Sequence, residues 1–177
     1  MTDFPDHPFW NFSLEVYGAA DVAPACLALQ ERYAIDVNFL LLCLWLGRAG
    51  YDAVGAAEIA RLHGTIDAWH REVVRPLRTL RKRLKEPIAT EDRALALSLR
   101  QRIQNIEIDA EHIEQLTLGA ALPDENAKMA ASNNGLAAAR VNLEAYLKLI
   151  NAKLDENGRE CLETILAAAF GDNARAG

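Results

Sequence analysis

The most apolar stretch of the chain runs from Val37 to Gly47 and has no polar face. An amphipathic helix repeats its apolar positions about every 3.6 residues and leaves its other side polar, whereas a helix that is apolar all round must be covered on every side. Asp36 can accept hydrogen bonds from the first turn of such a helix, and Gly47 and Gly50 can end it. The pattern predicts a buried helix at the centre of the fold.

Shorter amphipathic stretches lie on both sides of this helix. Residues 8–18 and 22–33 are predicted as two helices before it, and residues 51–64 as a short connecting segment after it. Further apolar stripes predict a helix over about 136–153 and a last helix after Gly158. Ala and Leu are abundant while Thr and Val are sparse, which favours helix over sheet. We therefore predict an all-α fold, a compact helical domain around the central helix.

Two long helices are predicted between these parts, one over residues 65–85 and one from residue 90 to a loop that begins at Gly119. Their apolar positions repeat in steps of four and three, so each helix has one inward face. Pro76 cannot donate a backbone hydrogen bond and should kink or divide the first helix. The breaker at residues 86–89 is short, which predicts a long antiparallel hairpin. The repeated positions are Ile66, His70, Val73, Leu77, Leu80 and Leu84, followed by Leu99, Ile103, Ile106, Ala110, Ile113 and Thr117.

Three motifs in the N-terminal part are similar to those of a known family. They are Trp10-Asn11-Phe12-Ser13-Leu14-x-x-Tyr17, Ala25-Cys26-Leu27-x-Leu29-Gln30 and Asp36-Val37-Asn38-x-Leu40-Leu41-Leu42. Together they resemble a family of bacterial, mostly proteobacterial, conserved hypothetical proteins classed as a domain of unknown function. The likeness is dense from Phe9 to Leu46 and looser to about Leu118. It implies a bacterial cytoplasmic helical protein and implies no particular activity or catalytic residue.

The domain organisation follows from the end of this resemblance. We predict a helical domain over residues 1–122 that carries the likeness to the family. Residues 123–177 are predicted as a C-terminal helical pair that packs on the same domain. A chain of 177 residues is long enough for one domain with a sizeable core.

The net charge, the apolar runs and the cysteines indicate which partners and which cellular compartment to expect. The formal net charge of −6 argues against non-specific binding to nucleic acid, whose phosphates repel an acidic surface. The longest unbroken apolar run, Phe39 to Leu46, is far shorter than the ~20 residues that a bilayer requires. Cys26, Cys43 and Cys161 occur in apolar helical contexts without metal-binding spacing. We therefore expect buried reduced thiols in a cytoplasmic protein that contacts neither membrane nor nucleic acid.

Two similar pentapeptides, at residues 66–70 and 108–112, each place an Asp and a His three residues apart on one helix face. Helical di-metal proteins use a related spacing, Glu-x-x-His. If the hairpin folds about residue 88, Asp67 lies opposite Asp109. The alternative is a hydrogen-bonded core histidine with solvated acids, because His70 falls in the apolar seam and His112 does not. The candidate metal ligands are His63, Asp67, His70, Asp109 and His112, with Glu107, Glu111 or Glu144 to complete the set, and no other cofactor is predicted.

A basic segment covers residues 75–85 and contains no acid. An acidic block follows from Glu107 to Glu125, and the predicted hairpin places the two blocks at opposite ends. Such a dipolar surface suits a protein partner or a second copy of the chain. An ordinary solvated helix face is the alternative reading. The candidate partner-binding residues are Arg75, Arg78, Arg81, Lys82, Arg83 and Lys85.

A set of aromatic and thiol side chains around the central helix either fills the core or walls a hydrophobic ligand pocket. Its members are Trp10, Phe12, Tyr17, Cys26, Cys43 and Trp45. No local nucleophile and base pair is present, so the sequence identifies no catalytic residue. The leading functional prediction is therefore a non-enzymatic protein-binding or adaptor role through the hairpin. The alternative is an enzyme or sensor with a metal or small-molecule site between the helices.

Overall fold

The fold is all-helical, as predicted. The computed structural model describes residues 4–86, 92–122 and 135–171, and within these ranges the chain forms helices and no β-strand. The elements are α1 (Pro8–Tyr17), α2 (Val22–Tyr33), α3 (Val37–Arg48), α4 (Ala56–Trp69), a π-helical segment (His70–Val74), α5 (Arg75–Arg83), α6 (Arg93–Ala120), α7 (Gly135–Leu149) and α8 (Glu156–Phe170).

Helix α3 is the buried central helix that the apolar pattern predicts. The Asp36 carboxylate accepts a hydrogen bond from the Asn38 N–H at 2.9 Å and so caps the first turn. Trp45 is partly buried, and its ring lies against those of Phe9 and Tyr51. Helices α1, α2, α6, α7 and α8 all contact α3. Its buried residues are Asn38, Phe39, Leu40, Leu41, Leu42, Cys43, Leu44, Leu46 and Gly47.

The two C-terminal helices pack on α3 and α2. Helix α7 crosses α3 so closely that a Cβ atom on Gly47 would overlap the carbonyl oxygen of Gly135 and lie 3.1 Å from the Cβ of Ala139. Helix α8 packs on α2, where the Tyr33 hydroxyl donates to Asp155, the N-cap of α8, at 2.5 Å. These contacts place both C-terminal helices against the core that α3 forms.

The first long helix begins earlier than predicted. Helix α4 starts at Ala56, so most of the predicted connecting segment is helical. Thr65, where the helix was predicted to begin, lies inside α4, and its hydroxyl donates to the Leu62 carbonyl at 2.6 Å. Ile59, Leu62 and Ile66 are buried along one side of α4 and extend its inward face over the added turns.

A π-helical segment, His70–Val74, lies just before Pro76, where the sequence predicts a kink or a break in the first long helix. The Arg75 N–H donates to the carbonyl of His70, five residues earlier, which is the π-helical pattern. Pro76 follows at once, and a proline both lacks an N–H and crowds the carbonyl four residues before it. The wider turn relieves this crowding, so the helix continues into α5 in a shifted register.

Helix α6 buries a different face from the one predicted. Leu99, Ile106 and Ile113 were expected to face inward but are 46%, 52% and 37% exposed. Only part of the predicted stripe is buried, and acidic side chains share the inner face with it, Glu107 beside cationic partners and Glu114 beside an imidazole and a second carboxyl group. The hairpin turn at residues 87–91 lies outside the described residues and stays a prediction. The buried residues of α6 are Ala96, Ile103, Glu107, Ala110, His112, Glu114, Gln115 and Leu118.

Among the described helices, no single helix is both long and apolar enough to cross a membrane. Helices α1 and α2 reach the required length only when they are taken together, and they are bent by 99° at the break between them.

Because α3 lies at the centre of the core, we expect a large loss of stability when one of its buried side chains is shortened. Leu42 is fully buried, so Leu42→Ala should lower the free energy of unfolding by about 2–5 kcal/mol through lost burial and a residual cavity. Urea denaturation monitored by circular dichroism measures the change. Leu149→Ala, at a half-exposed position on α7, is the matched control and should shift the midpoint little. Equal shifts in the two variants would contradict the central role of α3.

Candidate metal centre

A cluster of one imidazole and two carboxyl groups joins three parts of the fold. Asp36 is the N-cap of α3, His70 begins the π-helical segment and Glu114 lies on the inner face of α6. The Nδ1 atom of His70 lies 3.2 Å from Asp36 Oδ2 and 3.2 Å from Glu114 Oε1. Ligand atoms from all three residues lie within 4.8 Å of one another. Nitrogen and carboxylate oxygen donors at this spacing suit a divalent transition metal.

Neighbouring groups orient the Asp36 side chain. Its backbone N–H donates to the Tyr146 hydroxyl at 2.9 Å, and its Oδ1 atom accepts from the Asn38 N–H. The Nδ1 atom of His70 has hydrogen-bonding geometry only with Glu114. Asp36 Oδ2 therefore accepts no hydrogen bond from an N–H or hydroxyl group of the described residues, and the neighbouring Glu114 carboxyl group can donate to it only when that group is protonated. A buried carboxylate oxygen without a partner is costly unless a cation or a proton compensates it.

The protonation states of the cluster follow from its burial. Burial raises the pKa of Glu114 far above its usual range, and the nearby Asp36 carboxylate raises it further. Burial lowers the pKa of His70, although the charge of Asp36 opposes this change. At neutral pH we therefore expect a protonated Glu114 and a neutral His70 imidazole. A metal ion would take the place of the Glu114 proton, because ligands bind metals in their deprotonated form.

Two members of the cluster, Asp36 and His70, line a cavity of about 310 Å³ that is bordered by α2, α4, α5 and α7, which we call the basic cavity. Arg75, Arg78 and Lys82 also line it. Catalytic metal sites combine three protein ligands with an open coordination position that faces such a space.

One family matches this chain. Residues 8–118 match the family described as "Protein of unknown function (DUF2390)". The chain belongs to this family. The match confirms the predicted membership of a domain of unknown function, and it spans all three residues of the cluster. No curated protein and no solved structure matches the chain.

Within the DUF2390 region, the structure brings together three of the five predicted metal ligands. His63, Asp67 and His70 line the basic cavity, although only His70 joins the cluster. His63 packs edge-on against Phe39, with ring centroids 5.2 Å apart. Asp67 is exposed and forms an ion pair with Arg71 at 2.9 Å.

The other two predicted ligands lie elsewhere on α6. Asp109 is exposed on the outer face of the helix. His112 stacks between Phe4 and Trp10, at centroid distances of 4.7 and 4.0 Å. Burial lowers the pKa of His112, as expected for an imidazole inside an aromatic stack. The Asp-x-x-His spacing on α6 therefore contributes no ligand to the cluster.

Sequence reasoning did not select Asp36 or Glu114 as metal ligands. Asp36 was recognised only as a helix cap, and capping uses Oδ1 while Oδ2 remains available. Glu114 follows Glu107 by seven residues on the same side of α6, and both are buried. Two acids seven residues apart, on the same side of the helix as the apolar Ala110, could have indicated that both carboxyl groups are buried.

Several cations of the basic segment on α5 form ion pairs with acids of the same chain. Arg78 donates to Glu107 at 3.0 Å and to Glu111 at 2.5 Å, and Arg81 also bonds to Glu107. The prediction that the basic and acidic blocks lie apart is therefore wrong for these residues, because α5 packs directly on the acidic face of α6. Lys82 pairs with Glu31 of α2 at 2.7 Å. Arg75, Arg83 and Lys85 are exposed.

The raised pKa of Glu114 predicts a pH-dependent stability difference. The unfolded chain releases this proton at a lower pH than the folded protein does, so burial of Glu114 destabilises the fold increasingly as pH rises above about 4.5. Glu114→Gln cannot ionise and removes this cost. In metal-free buffer, the variant should gain stability relative to the native protein between about pH 5 and about pH 8.

Urea midpoints at several pH values measure this gain. Glu163→Gln is the control, because Glu163 pairs with Arg140 at a much more exposed position. A gap between Glu114→Gln and the native protein that does not change with pH would show that Glu114 is ionised in the folded protein.

Proposed function

We propose that this protein binds a divalent transition-metal ion through Asp36, His70 and Glu114, and that the ion acts on a small molecule in the basic cavity. The observation that carries the proposal is the convergence of ligand atoms from Asp36, His70 and Glu114 within 4.8 Å, where a proton on Glu114 is the donor available to the buried Asp36 Oδ2 atom among the described residues. Three protein ligands with an accessible fourth position are typical of a metal enzyme or a metal-dependent sensor.

Charge balance supports a divalent ion in this position. Two ionised carboxylates beside a neutral imidazole carry two negative charges in a buried space, and a divalent cation neutralises them. Without the ion, a proton on Glu114 provides only part of that compensation. The metal-free protein thus stores a proton that metal binding releases.

The cavity walls favour an anionic small molecule. Arg75 is exposed and lines the basic cavity, where Arg78 and Lys82 are already paired with acids of α6 and α2, so Arg75 is the cation that favours an anion here. Carboxylate and phosphate groups form charge-assisted hydrogen bonds with such side chains and also coordinate metal ions. We therefore include anionic carboxylates and phosphates as the substrate or effector class.

We also propose a location in the bacterial cytoplasm, on two supporting observations. The described cysteines are free thiols, and burial raises the pKa of Cys26 to about 12 and that of Cys43 higher still. Such thiols are unreactive and fit a reducing compartment. The motifs that resemble bacterial proteins support the bacterial origin.

Metal binding can be tested by isothermal titration calorimetry with Mn²⁺ and with Zn²⁺ after chelation and dialysis. We expect one ion per chain, release of protons on binding and an affinity that rises with pH. Asp36→Asn keeps a helix cap but weakens the metal ligand, and it should reduce affinity at least tenfold while the fold is retained.

His63→Gln is the matched control, since His63 lines the same cavity outside the cluster. It should bind the ion as the native protein does. Native protein that binds neither ion at stoichiometric level, or binding that survives Asp36→Asn unchanged, would overturn the proposed metal site.

The second candidate function is the protein-binding role, in the form of self-association through the outer face of α6. Exposed Leu95, Leu99, Ile106 and Ile113 follow one another in the steps typical of a helix–helix seam. Arg102 and Asp109, both also exposed, occupy the remaining positions of this stripe. The outer stripe therefore combines apolar side chains with one cation and one anion.

A second copy of the chain is the occupant that fits the outer stripe. In an antiparallel pair centred on Gln104, Leu95 faces Ile113 of the second copy. Arg102 then lies within one turn of Asp109 of the second copy, and the two-fold axis repeats the pair. In this register Arg102 lies three residues from Asp109 of the second copy and four residues from Arg102 of that copy, so the unlike pair is the nearer of the two.

Sedimentation at low and high salt tests this association. The native protein should form a dimer, and Ile106→Glu should shift it to the monomer because a carboxylate at the seam loses its solvation. Leu149→Glu, at an exposed apolar position on α7, is the matched control and should leave the dimer intact. A native protein that is monomeric up to about millimolar concentration would exclude this role. Co-purification with a different protein through Arg75, Arg83 and Lys85 would instead favour an adaptor.

A further inference from the structure

A second cleft lies on the other side of Arg78, between α1, α2, α3, α5 and α6. Its volume of about 400 Å³ is within the range of small-molecule sites. Trp10, Leu14, Leu41 and Ile108 give it apolar walls. It is separate from the metal cluster, since Asp36, His70 and Glu114 do not line it. We call it the amphipathic cleft.

Two buried polar side chains on the wall of the amphipathic cleft lack partners. Ser13 is 4% exposed and Gln115 is 2% exposed, and both line the cleft. Neither Ser13 Oγ nor Gln115 Oε1 has a hydrogen-bond partner among the described residues. Native structures rarely leave such atoms unsatisfied, because each costs about 1–3 kcal/mol. Both atoms are buried within the wall of the cleft, so a molecule in the cleft completes their hydrogen bonds after a small shift of these side chains.

The orientation of Gln115 defines what that molecule must offer. Its Nε2 group donates to Asn38 Oδ1 at 2.8 Å, so its Oε1 atom remains as an acceptor. The Ser13 hydroxyl can either donate or accept. A ligand must therefore provide at least one hydrogen-bond donor.

The charged groups of the amphipathic cleft argue against a charged ligand. Arg78 and Arg81 already bond to Glu107 and Glu111, and these four side chains balance one another. An added ion would have to compete with pairs that are half-buried or more deeply buried. A neutral ligand leaves this network unchanged.

We infer that the amphipathic cleft binds a neutral amphipathic small molecule whose apolar body packs on Trp10, Leu41 and Ile108 and whose amide or hydroxyl group donates to Gln115. This site is independent of the proposed metal centre. Arg78 lines both cavities, so a molecule in the amphipathic cleft contacts the side chain that also borders the basic cavity.

The test uses two probes with the same type of apolar chain. Hexanamide is neutral and donates through its amide group, whereas methyl hexanoate has no donor. Titration of the metal-free protein, followed by NMR chemical shifts, should give a roughly millimolar Kd for hexanamide, as expected for a fragment of this size. Methyl hexanoate should bind at least fivefold more weakly, and the shifts should concentrate in α1 and α6.

Two variants separate this site from non-specific binding. Leu27 lines the cleft and is 42% exposed, so Leu27→Trp should fill the mouth without disturbing the core and weaken hexanamide at least tenfold. Leu149→Trp, at a similar exposure away from the cleft, is the matched control and should bind hexanamide like the native protein. Gln115→Met, which lacks the acceptor, should bind both probes alike.

The opposite results overturn the inference. If neither probe shifts the resonances of α1 and α6, the cleft holds only water. If Leu27→Trp and the control bind equally well, the probes bind elsewhere. Because the metal has been removed, the result is unaffected by failure of the proposed metal centre.

Discussion

The fold depends on the requirement that α3 be covered on every side. Its apolar side chains would be exposed on any face left open, at a cost of roughly 25 cal/mol for each Å². The surrounding helices meet this requirement from both ends of the chain, and α7 approaches through Gly47 and Gly135, where neither backbone carries a side chain. Covering α3 also brings its N-cap, Asp36, against the π-helical segment and α6. The candidate metal centre is thus a product of the same packing that buries the core.

The second constraint is the burial of acidic groups on α6. Charges leave water only when other groups compensate them, and each buried acid of α6 is compensated differently. Glu107 is held by the guanidinium groups of Arg78 and Arg81. Glu114 has only an imidazole and another carboxyl group beside it, so burial raises its pKa. Glu107 is therefore part of a structural ion pair, whereas Glu114 has no cationic side chain beside it and is the acid that we propose as a metal ligand.

The sequence predicted well where the helices lie, and it predicted less well which side of each helix is buried. The all-helical fold, the buried helix and the cap at Asp36 follow from local patterns, and the structure contains all three. The sequence could not show which side of α6 is buried. The stripe with Leu99 and Ile106 and the stripe with Glu107 and Glu114 both repeat every seven residues, and only the contacts with other helices distinguish them. Leu99 was expected inside and Glu114 was not considered as a ligand, since a buried acid becomes acceptable only beside groups that are distant in sequence. His70 was selected from its Asp-x-x-His spacing, whereas the carboxyl groups that lie beside it come from the N-terminus of α3 and from α6.

The π-helical segment has a consequence for how this site can change. It contains one more residue per turn than an α-helix, so the helix on its C-terminal side is rotated relative to the one on its N-terminal side. Helix α4 can thereby direct its apolar residues to the core while α5 directs Arg78 and Arg81 to the acids of α6. An uninterrupted α-helix of the same length would turn α5 by about 100° from its present orientation and take Arg78 and Arg81 away from the acids of α6. Deletion of a single residue between His70 and Val74 would instead remove the extra residue and restore an ordinary helix with α5 close to its present orientation, so the segment tolerates the loss of one residue better than a change of conformation at constant length.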